Sequence, residues 1–376
     1  MKTKKAAVIT LTGYDNYGNK LQNYALQRTL AALGCQVTTL RLDKPETPEG
    51  KAERKIRGVR PALKKMTVHG ILALANLVKR RAKHFKAFSA NHIMESEFSI
   101  APGRIPADLG DRYDYFVIGS DQIWNPHYGY APDMIFAAFS AAEKRIAYAP
   151  SFGVTQLTDA AATAYQKGIA GIPWLSVREE AGADIIFRLT GQTVPVLADP
   201  TMLLTREQWL TLAKPPKGKP KGPYMLTYCL GSIPEPVRNR LKMICASRRL
   251  ELVNILSIRD FRLYGTDPAG FIDLIHTAEC LVTDSFHGAV FAILMHTPFV
   301  ICRRNGSGAS AAMYSRLESL LSKFHFEGRQ WDSIPNDDAF FAMDFGAAPA
   351  IARQARMEGL AFLRKALHTT GAPLAD

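Results

Sequence analysis

A chain of 376 residues, 47% of them hydrophobic and 22% charged, has apolar side chains enough for two domain cores, which excludes a disordered protein. The net charge of +13 is concentrated in residues 51–86, where twelve Lys and Arg accompany one acidic residue, Glu53. Five scattered cysteines, Cys35, Cys229, Cys245, Cys280 and Cys302, have neither disulfide-framework nor paired metal spacing and are expected as reduced thiols of a cytoplasmic protein.

Met1–Lys5 carries the charge of a signal peptide, but only a strand-length apolar run, Ala6–Leu11, follows, so no secretion signal is expected. The strand opens into Thr12–Asn19 and then a helix with Leu26, Leu30 and Leu33 at helical spacing and Gly34 as its stop. Asn16, Tyr17, Asn19 and Gln22 form a neutral hydrogen-bonding group. Residues 44–92 read as a basic helical insertion, in which Met66, Val68, Ile71, Leu72, Leu74 and Leu77 interrupt the charge as expected of helices with one basic face. No nucleic-acid partner is expected, because the segment has neither a known reading motif nor interleaved aromatics. Leu72–Val78 is also far short of the roughly 20 apolar residues that cross a bilayer.

Farther along, Tyr115–Ile118 ends in Gly119–Pro126, which holds Asp121 and Trp124; Arg145–Ala149 ends in Pro150–Gly153; and Trp174–Val177 ends in Arg178–Gly182. Residues 214–223, rich in Pro, Gly and Lys, cannot hold a regular element and are expected to link two domains, 1–213 and 224–335. Cys280–Thr283, Asp284–Gly288 and Ala289–Leu294 read as strand, tight loop and helix. In such a turn the first helical N–H groups favour an anion at the carboxyl end of the sheet, and the imidazole of His287 would meet it. The plainer alternative is that Asp284 or Ser285 caps the helix and His287 packs beneath the loop. Pro298–Cys302 runs into Arg303, Arg304 and a glycine-containing loop, and residues 336–376 form an alanine-rich helical segment. Polar residues gathered repeatedly at the ends of apolar strands describe an active-site crevice in an α/β fold. The nine histidines show no ligand pattern, and Asp273, His276 and Glu279 read as a solvent face, so no metal is expected.

Six stretches in collinear order resemble the polysaccharide pyruvyl transferase family: Asn16-Tyr17-Gly18 with Leu21–Gln27, Gly119–Gln122 with Trp124-Asn125-Pro126, Ser176–Glu179, Asp199-Pro200-Thr201, Thr283–Gly288, and Ser315–Leu321. The resemblance spans roughly residues 6 to 329. It implies an α/β fold of two Rossmann-like domains facing a central cleft, similar to B-type glycosyltransferases, with the first domain on the acceptor side, the second on the donor side and the helical segment 336–376 crossing back to the first. It also implies transfer of a pyruvyl group from phosphoenolpyruvate to two hydroxyls of a cell-surface or lipid-linked glycan, with no cofactor besides that donor. Ser285 stands where the family pattern has an arginine two residues before the motif histidine, and a serine offers neither charge nor a bidentate fork. Holding the donor then falls to Arg178, Arg303, Arg304 and Arg316, beside Ser285 and the backbone of Gly288. His287 is expected to handle the proton or the leaving phosphate, Asp121 to deprotonate the acceptor hydroxyl, and Trp124 to stack on the sugar, with Asn16, Tyr17, Asn19 and Gln22 around it. Acceptors built on anionic lipid carriers at the inner leaflet would suit a peripheral membrane contact through residues 51–86, against the plainer reading of a solvated face. A nucleotide-sugar glycosyltransferase of the same architecture is the competing class.

Overall fold

A computed structural model describes residues 3–43, 68–258, 261–303 and 309–368. The first half of the basic insertion and Arg304 lie outside the described residues. Two compact units emerge, one from Met1–Pro200 with Gly359–Asp376 and the other from Thr201–Glu358.

The first unit is built on six parallel strands, β1 Lys4–Ile9, β2 Cys35–Leu42, β3 Glu95–Ile100, β4 Tyr115–Ile118, β5 Arg145–Ala147 and β6 Trp174–Leu175, in the order β3-β2-β1-β4-β5-β6. This is the Rossmann order, in which the chain switches direction across the sheet between β1 and β4. Central strands of a parallel sheet are covered on both faces, and Ala6–Ile9 of β1 and all of β4 accordingly read as unbroken apolar runs, with Ala6 opposite both Val37 and Tyr115. Helices α1 Tyr17–Ala32, α2 Val68–His92, α3 Asp159–Ala170 and α4 Glu180–Thr190 belong to this unit. Its core joins Ile9, Phe116, Ile118, Trp124, Phe136, Phe152 and Ile186. Gly119 ends β4 where α1 comes closest: a Cβ there would meet Leu26 Cδ2 at 2.4 Å.

Helix α2 has two faces. Leu74, Arg81, Phe85 and Phe88 are buried, while Lys79, Arg80, Lys83 and Lys86 are exposed. Arg81, one of the twelve cations, is therefore internal: its Nη1 donates to the Tyr17 hydroxyl at 2.9 Å and its Nη2 to the Asp15 carbonyl at 3.1 Å.

The second unit has four parallel strands, β7 Tyr224–Tyr228, β8 Glu251–Asn254, β9 Cys280–Thr283 and β10 Phe299–Ile301, in the order β10-β9-β7-β8, so its switch lies between β7 and β9. Helices α5 Arg206–Leu212, α6 Glu235–Ser247, α7 Pro268–His276, α8 Phe286–Met295 and α9 Ala309–Phe324 flank them. Helix α8 is apolar all round and all of its residues from His287 to Met295 are buried, as an interior helix must be.

The division between the units falls before residue 201 and not at the Pro- and Lys-rich segment. Trp209 explains the difference: its Nε1 donates to the Thr201 carbonyl at 2.9 Å and its ring meets Phe291 of α8 at 5.0 Å, which ties residues 201–212 to the second unit. Residues 214–223 lie on that unit's surface, where Lys219 pairs with Asp273 of α7 at 2.6 Å. Asp273 is thus an ion-pair partner and not part of a free solvent face. The final helix, α10 Ala348–Ala366, is divided at Gly359, and its last turns belong with the first unit. There Phe362 packs near Tyr148 and Trp174, and the Tyr115 hydroxyl donates to the Leu367 carbonyl at 2.9 Å. Burial pushes the thiols of Cys280 and Cys302 up to about 12 and those of Cys35 and Cys245 up to about 11.

Candidate functional site

In a parallel sheet, the loops that follow the strands gather at the carboxyl edge, and ligands enter where the strand order reverses. In the first unit that point lies between β1 and β4. Thr10, just beyond β1, donates its hydroxyl to the Ser120 carbonyl at 3.1 Å and accepts from Gln22 Nε2 at 2.8 Å, so the β1–α1 loop and the loop after β4 are tied together. Asn16 caps α1 by accepting from the Asn19 N–H at 3.3 Å. From the first turn of α1 the fully buried ammonium of Lys20 pairs with Glu95 at 2.9 Å, reaches the Thr12 carbonyl at 3.3 Å and lies 4.0 Å from the centre of the Tyr14 ring. Burial lowers the pKa of Lys20, against the pull of Glu95.

The loops after β4 and β6, with Asp199 beyond α4, meet at one guanidinium. Arg178 lies with Nη1 2.7 Å from Asp199 Oδ2, Nη2 3.6 Å from Asp121 Oδ1, and Nε 3.8 Å from Glu179 Oε2. Its side chain is 2% exposed, and those of Asp199, Glu179 and Asp121 are 0%, 6% and 9% exposed. Burial by itself would lower the pKa of this arginine; the three carboxylates, Asp199 foremost, outweigh it and hold the group more firmly charged than usual. Around the cluster the backbone is cross-linked as well. The Ser120 hydroxyl sits 2.9 Å from the Ala149 carbonyl and 3.1 Å from Asp199 Oδ2, the Ser151 N–H donates to the Asp121 carbonyl at 2.8 Å, and the Phe152 N–H donates to Glu179 Oε1 at 3.0 Å. Asp121 and Ala149, at neighbouring strand ends, both take left-handed backbone, with φ of 56° and 49°. Conformations of this kind cost a side-chain-bearing residue about 1–3 kcal/mol and collect at functional sites.

In the second unit the corresponding point is built by the Thr283–Gly288 turn. The Thr283 hydroxyl donates to the Tyr228 carbonyl at 2.5 Å and accepts from the Ser285 N–H at 3.0 Å, while Asp284 accepts from the N–H groups of Leu230 and Gly231 at 2.6 and 2.7 Å. These bonds fix the loop after β7 against the loop after β9. Ser285 is the N-cap of α8, accepting from the Gly288 N–H at 3.3 Å. His287, 7% exposed, follows in the first turn with its ring edge-on to Phe286 at 5.4 Å. Arg303, one residue past Cys302 at the end of β10, is exposed, with its guanidinium 4.8 Å from the centre of the Tyr314 ring.

Several expected roles change on this geometry. Trp124 is fully buried in the core, its Nε1 donating to the Ile135 carbonyl at 3.0 Å and its ring against Phe136 and Phe152, so it has no face for a sugar. Tyr17 is likewise interior, its hydroxyl taken by Arg81 and its ring 5.0 Å from Phe85. Gln22 is also buried, and Asn16 and Asn19 remain half-buried at the loop. Arg178 is enclosed by carboxylates, a surrounding of net negative charge that repels an anionic donor. Gly288 gives its N–H to the cap and is required for packing, since a Cβ would come within 2.5 Å of the Thr283 hydroxyl. Arg316 of α9 is buried. Lys20, Glu179 and Asp199 were missed as parts of these sites. Asp199 stood in a motif, so its position could have pointed to it, whereas nothing local marks Lys20 as an interior ammonium.

Among the described residues, no group of three or more His, Cys, Asp or Glu is placed to hold a metal ion, and no helix is long and apolar enough to cross a membrane. Solved structures similar in overall course include a protein from Listeria monocytogenes assigned as a UDP-N-acetylglucosamine 2-epimerase (11% identity, 100% of each chain covered, TM-score 0.49). They also include MurG of Acinetobacter baumannii (12% identity, 97% of this chain and 98% of that one, TM-score 0.42) and the glycosyltransferase SnogD of Streptomyces nogalater (15% identity, 97% and 100%, TM-score 0.40). No curated protein matches the chain. The profile of one family, polysaccharide pyruvyl transferase, matches residues 16–306 and so takes in α1 from its N-cap Asn16, the Arg178 cluster and the whole β9–α8 turn. Over that span, the larger part of its length, the chain belongs to the polysaccharide pyruvyl transferase family and is a transferase.

Proposed function

We propose that this chain transfers the pyruvyl group of phosphoenolpyruvate to two hydroxyls of one sugar in a polysaccharide or lipid-linked glycan, closing a cyclic ketal. The family match across residues 16–306, with His287 of its motif at the carboxyl end of β9, carries the reading. In the reaction, a proton adds to the donor's methylene carbon, leaving a cationic centre at the neighbouring carbon that a sugar hydroxyl traps with loss of its own proton. Departure of phosphate and attack by the second hydroxyl complete the ketal. His287 handles the proton or hydrogen-bonds the leaving phosphate, and the exposed Arg303 supplies the positive charge that Ser285 lacks. In the first unit, whose charge cluster is acidic overall, Asp121 takes the proton of the attacking hydroxyl.

Ligand-dependent melting tests the donor. Phosphoenolpyruvate at a hundred times its Kd adds about 2.7 kcal/mol of stability, and a sugar acceptor then releases phosphate as the donor is consumed. Stabilisation by nucleoside diphosphates alone would instead mark a nucleotide-sugar glycosyltransferase.

The exposed cations of α2 support a peripheral contact with anionic lipid, each contributing about 1 kcal/mol near such a surface. Vesicles rich in phosphatidylserine are expected to float the protein at low salt and release it at high salt, and Lys79→Glu with Lys83→Glu to weaken flotation. Salt-insensitive or absent flotation would leave α2 a solvated face.

A further inference from the structure

Of the four charged side chains at the first unit's strand ends, Asp199 is the one with no exposure, so it cannot touch a substrate; yet it makes the shortest contact with Arg178. The distances of 3.6 and 3.8 Å to Asp121 and Glu179 are too long for hydrogen bonds, whereas the 2.7 Å contact to Asp199 is a charge-assisted one. The guanidinium is therefore fixed from the Asp199 side and meets Asp121 through its field. Asp199 also lies 3.1 Å from the hydroxyl of Ser120, the residue immediately before Asp121, whose backbone is held in left-handed conformation. One carboxylate thus steadies both the cation that faces Asp121 and the strand end that carries it. Asp121 is the most exposed of the four, at 9%.

We propose that Asp199 is a positioning residue: by anchoring Arg178 and Ser120 it sets the orientation of Asp121 for taking the acceptor's proton. This rests on the reading that Asp121 serves the acceptor. A carboxylate between a fixed guanidinium and a strained strand end has its direction set before substrate arrives, as pre-organisation requires. Asparagine at 199 keeps the shape and an acceptor oxygen for Ser120 but removes the charge that holds Arg178.

The test is a double-mutant cycle on the full chain, measuring kcat and acceptor KM for wild type, Asp199→Asn, Asp121→Asn and the pair, with melting curves for each. The expected result for Asp199→Asn is a kcat loss of about 10- to 100-fold, with acceptor KM changed less than about twofold. In the Asp121→Asn background the same substitution is expected to cost almost nothing further, because groups acting as one unit are not additive. Ser120→Ala, which removes the second hold while leaving the ion pair, should show a smaller kcat loss of the same pattern and serves if Asp199→Asn does not fold. Equal losses in both backgrounds, or unchanged kcat in Asp199→Asn, would overturn the positioning role while leaving Asp121 as base. Full turnover in Asp121→Asn would overturn both.

Discussion

Replacing Arg178 with methionine is expected to destabilise the protein by about 3–5 kcal/mol, the cost of removing one partner from a buried charge network. Asp199, Asp121 and Glu179 would be left together with their principal cation gone, in a region where the side chains are at most 9% exposed. Urea unfolding followed by fluorescence suits the measurement, since Trp124 and Trp174 report on the first unit and Trp209 and Trp331 on the second. The deficit should shrink on acidification, as carboxylates left without a cation take up protons. In the wild type the raised pKa of Arg178 contributes stability that is fully present below the ordinary arginine value and is lost only at extreme alkalinity, so the pH trend belongs to the variant. A loss below about 1 kcal/mol, with the damage confined to donor KM, would return Arg178 to the role of a donor clamp, since a surface ion pair is worth no more than that.

The second large effect is on turnover. His287→Gln keeps a polar side chain of similar bulk in the first turn of α8 and is expected to lower kcat by about 10²- to 10⁴-fold, the usual contribution of a positioned acid or base. Melting should change little, because Ser285 still caps the helix and Asp284 still holds Leu230 and Gly231. Turnover near that of the wild type would make His287 a packing residue against Phe286.

Six strands announced themselves by apolar runs ending in polar loops: β1, β4, β5, β6, β9 and β10 all begin or end within a few residues of where those runs place them. Strands β2, β3, β7 and β8 did not. Glu95–Ile100 is mostly polar because it forms the sheet edge, and Glu251–Asn254 is another short edge strand, so neither reads as a buried parallel run. The strand-end loops were legible as a site, but the roles inside them were less so. A tryptophan beside a catalytic loop has the same letter whether it stacks on a sugar or fills a core, and only the packing of Phe136 and Phe152 around Trp124 decides. Arg178 is the same case for charge: Glu179 beside it is visible locally, but Asp121 and Asp199 stand far from it in the chain, so no local pattern could show it enclosed by carboxylates.

The cross-links among the loops after β4, β5 and β6 bear on how the first unit can move. The amides of Ala149, Ser151, Phe152 and Arg178 all donate to groups on a neighbouring strand end, most of them buried. Amides of this kind exchange with solvent only when a large cooperative part of the structure opens. This part of the first unit is therefore the last to open locally, and any local yielding falls to segments less firmly stitched.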